Sequence, residues 1–477
     1  MLKNYWLKFY KKLVMMQKLI FALLFMATSV ASFAQKTLIE ARIDGMSAGV
    51  VKLVGIYGDQ NFIADSTVAD ATGRFTLKRD TALRPGFYTF LLPGNKNLSF
   101  LVDSADQRFT MEGQIADLFN SIKVDGSINT ELFYTNLRYQ ATQEPEIGRM
   151  AEIIKKSPGT PEAEQAKARQ KAILAERDAH VRELAKQYPN AFFTKFKVAG
   201  QNPEFRDIRK PNGDVDTAAQ VADYRARFWD GVDFNDPRLL GTPVIFNKLR
   251  RYVKELTPQQ RDSLLVITDA LVQKVLPYPE YFKFFANWVA IQYENGKTSV
   301  MDGEAVYVNI IQKYFKPEYA TWDTKENLEK LQKHVREMEA SLLWKKGPDV
   351  RAQNQFGEYK SIYEMTAPVI VIFMFSPHCE HCQEQAPEIE NLYRKWKDKG
   401  VDFYGISVNT TDAEWKAFLK KYGFSFTNVF DPTNRAIYAK YFVDNTPELY
   451  VLNKDRTIVA KNLKAEQLET IFNRELK

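Results

Sequence analysis

Cysteine is nearly missing from this chain: two among 477 residues, Cys379 and Cys382. A stabilising disulfide framework uses more cysteines and closes longer loops, so that class is excluded. A bridge between two residues this close encloses almost no chain and does little to the entropy of the unfolded state. The value of the pair therefore lies in chemistry or in metal binding. Histidine is almost as scarce, with four. His180 and His334 stand alone in helical patterns and read as surface or satisfied histidines, whereas His378 and His381 flank the cysteines. Acidic residues are absent from the first 34 positions, which carry five lysines. Without those lysines, 61 basic residues face 59 acidic ones, a balance of +2. Such a chain gives no electrostatic reason to bind nucleic acid. The apolar run Leu19 to Val30 falls short of the about 20 residues that span a bilayer.

What is present is ordinary for a soluble globular protein, 45% hydrophobic and 26% charged. The length exceeds one hydrophobic core, so several domains are expected. The lysines before Leu19, the apolar run, and the small residues ending Ser32-Phe33-Ala34 follow the order of a secretory signal peptide. Residues 1–34 are read as a cleaved leader, made more compact if translation starts at Met15 or Met16. The mature chain is then expected in the periplasm. No cysteine stands near the cleavage position to take a lipid anchor.

Three patterns follow. Residues 35–128 show short alternating runs, such as Leu38 to Ile43, Val50 to Tyr57, Phe87 to Leu92 and Leu98 to Val102, punctuated by Gly45, Gly58, Pro85-Gly86 and Pro93-Gly94. That spacing predicts a β-sandwich. Residues 129–344 switch to helical periodicity, clearest in Pro161 to Gln187, which a proline opens and Tyr188-Pro189-Asn190 closes. An all-helical domain is expected, its many aromatics serving ordinary packing. Residues 345–477 alternate strand and helix: Val369 to Phe375, Glu384 to Lys397, Val401 to Val408, Asp412 to Tyr422, a hairpin across Asn453 to Arg456, and a last helix from Ala465. This is an α/β pattern with a central sheet covered on both faces.

The chemistry sits in that last segment. The apolar run Val369 to Phe375 leads through Ser376-Pro377-His378 into Cys379-Glu380-His381-Cys382 and then a helix. Cys379 is placed exposed at the helix N-terminus, with Cys382 one turn further in and more buried. Unpaired N–H groups and the positive end of the helix dipole favour a thiolate there. A resolving sulfur three residues on can attack a mixed disulfide and release the product. His381, when protonated, adds positive charge or a hydrogen bond to the thiolate.

With these features the last 125 or so residues resemble the thioredoxin superfamily, and within it the exported TlpA/ResA-like branch. Pro387, five positions after Cys382, matches that family's helix-kinking proline. Asn445-Thr446-Pro447 precedes the strand Leu449 to Leu452. The resemblance implies a cis Pro447 against the CxxC and a substrate chain bound by the backbone of Thr446. It implies a thioredoxin fold, protein thiol or disulfide substrates, a membrane or periplasmic partner that resets the pair, and no cofactor beyond the redox-active Cys379–Cys382 disulfide. Gly73-Arg74-Phe75 and Pro85-Gly86-Phe87-Tyr88 resemble an uncharacterised β domain that precedes such domains in exported Bacteroidota proteins. Phe228 to Asp233, with Pro237 to Leu240 and Thr242-Pro243, resemble its companion helical domain.

Two positions depart from the family. Phe373 stands where cytoplasmic thioredoxins carry a buried Asp, and Gln385 where many ResA-like reductases carry a Glu. Glu380 and Glu384 are the nearby acids. The histidine of CEHC fits an oxidase and its glutamate a reductase, so the direction of electron flow stays open. Two rival classes remain: an inert CxxC in a non-enzymatic cell-envelope binding protein, and a metal site made of His378, Cys379, His381 and Cys382. The second is disfavoured because one five-residue stretch cannot easily turn four ligands inward; no metal is expected. A peroxiredoxin motif fails at Ile372, where that family has proline.

Overall fold

The protein is described here as a computed structural model covering residues 37–434, 440–443 and 445–477. The expected leader lies outside the described residues. Compactness divides the chain into two units, residues 37–203 with Trp229–Phe246, and Glu204–Phe228 with Asn247–Lys477. The helices of residues 129–344 are thus shared between the units.

In the first unit the strands are β1 (Thr37–Asp44), β2 (Gly49–Tyr57), β3 (Gln60–Ala69), β4 (Arg74–Arg79), β5 (Gly86–Leu92), β6 (Lys96–Val102), β7 (Arg108–Gln114) and β8 (Lys123–Asp125). They form two four-stranded sheets, β4-β1-β7-β8 and β3-β2-β5-β6. Alternation along β1 sends Ile39, Ala41 and Ile43 inward, where they share one core with Leu53, Phe90, Phe100 and Met111. The helices α1 (Leu118–Ser121), α2 (Ile128–Ala141), α3 (Glu144–Lys156), α4 (Pro161–Gln187) and α5 (Phe192–Gly200) follow.

The second unit holds α6 (Thr217–Arg227), and the chain re-enters it within α7 (Pro243–Lys254). Then come α8 (Arg261–Val275), α9 (Pro279–Gln292), α10 (Glu304–Tyr314) and α11 (Lys325–Glu339). The α/β part contains β9 (Arg351–Asn354), β10 (Tyr359–Ser361), β11 (Val369–Phe375), α12 (Glu380–Trp396), β12 (Val401–Ser407), α13 (Asp412–Tyr422), β13 (Thr427–Phe430), β14 (Glu448–Leu452), β15 (Ile458–Lys461) and α14 (Leu468–Glu475). Its seven-stranded sheet has the order β10-β9-β13-β12-β11-β14-β15. The strand β11 is central, parallel to β12 and antiparallel to β14.

All seven residues of β11 are buried, as a strand covered on both faces requires. Phe373 and Phe375 face Cys382, Ala386 and Ile389 of α12, Trp415 and Phe418 of α13, and Phe472 of α14. Ile370, Ile372 and Met374 face the other way, onto Leu343, Val350, Tyr441 and Val443. The ends of α13 follow local rules: Thr411 and Glu414 form a reciprocal capping box, and Gly423 closes the helix in the left-handed region at φ 65°.

Gly405 in β12 is required by a cross-strand neighbour. An ideal Cβ there would lie 2.1 Å from Oδ1 of Asn428, a fully buried side chain whose Nδ2 donates to the Phe426 carbonyl. Gly405→Ala is expected to destabilise the second unit by about 2 kcal/mol through overpacking. The shift in denaturant midpoint measures this, and an unchanged midpoint contradicts it.

Candidate active site

The chain leaves the buried strand β11 through a tight turn in which the Cys379 N–H donates to the Ser376 carbonyl, 3.1 Å away. Ser376 is itself buried, and its Oγ accepts from the His378 N–H at 3.3 Å. Cys379 occupies the N-cap of α12 with extended φ and ψ of −84° and 117°. A helix start leaves N–H groups without partners, and Ser, Thr, Asp or Asn oxygens usually take one. Here the acceptor is sulfur: Cys379 Sγ receives the Cys382 N–H at 3.2 Å. Cys379 is half-buried rather than exposed as expected, because a second element covers part of it.

That element is the start of β14. The Thr446–Pro447 peptide bond is cis, and the Cys379 Sγ–H donates to the Thr446 carbonyl at 3.0 Å. The family resemblance implied a cis Pro447 beside the cysteines, and the structure has the cis bond with the Thr446 carbonyl at Cys379.

Cys382 is fully buried in the apolar face of the sheet. Burial first, and then the neighbouring Cys379 sulfur, push its thiol well above the usual value; contacts with the Ser376 backbone and the Thr446 side chain act the other way. Both cysteines are free thiols. The two sulfurs therefore differ in kind, one reachable at a helix terminus and one shielded behind it.

The flanking polar residues turn elsewhere. His381 Nδ1 lies 2.9 Å from Glu384 Oε2, so the imidazole pairs with that carboxylate and not with a sulfur. The Glu384 carboxylate raises the imidazole's pKa, which extends the range over which His381 carries a positive charge beside the turn. His378 Nε2 lies 3.3 Å from Glu414 Oε2, the carboxylate already engaged in the α13 capping box. Hydrogen bonds from Thr411, side chain and then backbone, hold the Glu414 carboxyl down at about 2. The two histidines thus serve two separate carboxylates. Gln385 accepts from the Ala465 N–H at 3.4 Å and props the start of the C-terminal helical segment. Phe373 stacks on Phe375 at 5.1 Å between ring centroids. Pro387 lies inside α12, where a missing N–H leaves one turn of the helix open.

Sequence reasoning missed the Ser376 side chain, the Thr446 side chain and Glu448. The one available signal for the last was an acid opening an otherwise apolar strand.

Residues 344–461 match the model of the AhpC/TSA family. The C-terminal region is a thioredoxin-like domain. Several curated relatives carry the name thiol–disulfide oxidoreductase ResA, a likeness consistent with oxidoreductase activity. The protein of that name from Bacillus anthracis is 25% identical over 134 residues, 28% of this chain and 77% of the relative. That from Bacillus subtilis is 23% identical over 112 residues, 24% of this chain and 62% of the relative. Among solved structures, a thioredoxin-like protein from Bacteroides caccae aligns over 57% of this chain and 99% of its own, at 14% identity and a TM-score of 0.47. A domain of a possible thiol–disulfide isomerase from Cytophaga hutchinsonii covers 28% of this chain and 92% of its own, at 29% identity and a TM-score of 0.26. Residues 37–133 match a domain of unknown function, DUF4369.

The difference between the sulfurs is measurable. In the reduced full-length protein at neutral pH, iodoacetamide is expected to label Cys379 at least about tenfold faster than Cys382. Peptide mass spectrometry reads the two rates, and equal rates would mean that Cys382 is not shielded.

Proposed function

We propose that the C-terminal domain exchanges disulfides with protein substrates, Cys379 attacking and Cys382 resolving. The observation that carries this reading is the double engagement of one sulfur: Cys379 Sγ accepts a helix N-terminal N–H and faces the Thr446 carbonyl beside the cis Pro447. A thiolate at this place keeps the N–H donor and the helix dipole as stabilisers.

In the first step the Cys379 thiolate attacks one sulfur of a substrate disulfide. A mixed disulfide forms and the other substrate sulfur leaves as a thiolate. Cys382, deprotonated in turn, attacks Cys379 Sγ, closes the Cys379–Cys382 bond and frees the second substrate thiolate. The substrate has gained two electrons and the domain has lost them. A separate dithiol or disulfide partner at the cell envelope resets the pair, and run backwards the same steps oxidise a substrate dithiol. The Thr446–Pro447 backbone is the natural rest for an extended substrate chain, because its carbonyl already lies at the reacting sulfur. His381 contributes positive charge, held by Glu384. No resident metal or cofactor is needed for any step.

Two further features support a periplasmic setting: the lysine-then-apolar order of the first 34 residues and the absence of other cysteines that would mispair there. Among the described residues, no helix is long and apolar enough to cross a membrane.

Cys382→Ser is expected to accumulate mixed disulfides with substrate proteins, visible on non-reducing gels and lost on adding dithiothreitol. Cys379→Ser should accumulate none and bring insulin disulfide exchange to background. Equal exchange by Cys379→Ser and wild type would sink the reading and leave an inert CxxC. Equilibration with glutathione buffers fixes the direction of electron flow, since about 30 mV in potential changes the equilibrium tenfold.

A further inference from the structure

On the face of the sheet away from the cysteines, a buried charged cluster reaches the same strand that carries Thr446 and Pro447 into the site. Lys461, at the end of β15, is 2% exposed. Its Nζ lies 2.5 Å from Glu304 Oε1 and 3.8 Å from Asp302 Oδ1, and it donates to the Ser341 carbonyl at 2.9 Å. Asp302 is fully buried; its Oδ2 takes Arg261 Nε at 2.6 Å and the Leu343 N–H at 3.1 Å. The Asp302 N–H donates to Asn462 Oδ1, and the Asn462 N–H donates to Glu448 Oε1 at 2.9 Å. Glu448 opens β14, directly after Pro447, and lines one narrow cavity with Glu304, Tyr450 and Lys461.

The charges do not balance. Three carboxyls (Asp302, Glu304, Glu448) share two cations, Arg261 and Lys461. Arg261 pairs with Asp302 and Lys461 pairs most closely with Glu304. Among the described residues, Glu448 has no ion-pair partner; its carboxyl takes the Asn462 N–H and the Leu449 N–H. The other ionisable groups facing this pocket are Tyr450 on the same strand and, one ring beyond Phe442, His334 of α11. A third negative charge here would meet Glu304 across the narrow cavity that both line. Burial, with Glu304 adding to it and Lys461 opposing it, pushes the Glu448 carboxyl up to about 7, and Asp302 up to about 6.

We propose that Glu448 is a positioning residue for the thiol site: neutral, it holds the start of β14 and so the Thr446 carbonyl against Cys379, and its ionisation slows exchange. This rests on the exchange reading of the same site. The neutral carboxyl keeps its hydrogen bond to Asn462 and adds no charge beside Glu304. Once ionised, it stands between the pull of Lys461 and the push of Glu304 at a point two residues from Thr446, and it sets a negative charge on the strand that faces a forming thiolate.

The test compares full-length wild type with Glu448→Gln, which keeps the acceptor oxygen and removes the proton equilibrium. Insulin exchange and iodoacetamide labelling of Cys379 are each followed from about pH 6 to about pH 8.5. The ratio of variant to wild-type rate is expected to rise roughly threefold to tenfold over that range. Glu448→Asp should restore the wild-type profile. Superimposable profiles for wild type and Glu448→Gln overturn the positioning role while leaving the exchange reading intact. A wild type that exchanges nothing, yet whose labelling step disappears in Glu448→Gln, overturns the exchange reading and leaves the positioning role standing.

Denaturant midpoints supply a check independent of the thiols. A carboxyl raised in the folded state is penalised as pH climbs from its ordinary value of 4.5 through about 7, and the penalty is constant above that. Glu448→Gln should therefore gain stability relative to wild type at about pH 8.5 and little at about pH 5. The same difference at both pH values would refute a carboxyl held neutral.

Discussion

Burial of one strand on both faces sets the geometry of this domain. Val369 to Phe375 carries no polar side chain, so both of its faces must be covered and the chain can turn only after Phe375. The turn delivers the next helix N-terminus first to the edge of the sheet, with donors that need acceptors. A cysteine at the N-cap supplies one, and its sulfur thereby becomes the point where the helix end meets the neighbouring strand. Were the strand half-exposed, the helix would have freedom to slide, and neither the Cys382 N–H nor the Thr446 carbonyl would be fixed at hydrogen-bonding distance from Cys379.

From that placement the two sulfurs inherit different environments without help from a nearby carboxylate. Cys382 lies one turn down the helix, on the side that Phe373, Phe375 and Leu449 close off. Its thiol is held neutral by burial, opposed by small polar contacts from Ser376 and Thr446. The two positions where the resemblance led one to expect an acid do other work: Phe373 stacks within the core and Gln385 accepts from the Ala465 N–H. Of the acids nearby, Glu384 and Glu414 are occupied with histidines and a helix cap.

The parts legible in the sequence were those where one rule dominates. A seven-residue apolar run can only be a buried strand here, and Pro161 to Gln187, with start and stop signals, forms a helix over that same span. The strands β9, β10 and β13 were not legible: RAQN, YKS and TNVF are too short and polar to announce themselves, and pairing with neighbours makes them strands. The helix α2 hid for another reason. It buries Asn129, Thr130 and Asn136, and two of these are satisfied by distant partners, Asn129 by the Phe193 N–H and Thr130 by the Leu101 carbonyl. Polar residues therefore interrupt the apolar side formed by Leu132, Tyr134 and Leu137, where periodicity looks for an unbroken stripe. The partners of His381 and His378 are likewise three-dimensional facts; spacing put the imidazoles beside the sulfurs, but Glu384 and Glu414 decided where they point.

The sheet separates two kinds of chemistry that meet at a single strand. On the helix α12 face, the Cys382 thiol is kept neutral by apolar walls. On the other face, ions are buried at a desolvation penalty that their mutual attraction offsets only with close geometry. The cluster meets that condition at Glu304–Lys461 and Asp302–Arg261, both within 2.6 Å. It does not meet it at Glu448. Residue alternation along β14 makes this possible: Leu449 and Val451 point to the cysteine face, Glu448 and Tyr450 to the ionic one. A residue at the register position beside Pro447 thus belongs sterically to one face and mechanically to the other, because the backbone it shares with Thr446 is what Cys379 touches. Asp302, in the turn before α10, and Glu304, the first residue of α10, hold that stretch to the sheet by charge, while their neighbour Met301 packs by apolar contact.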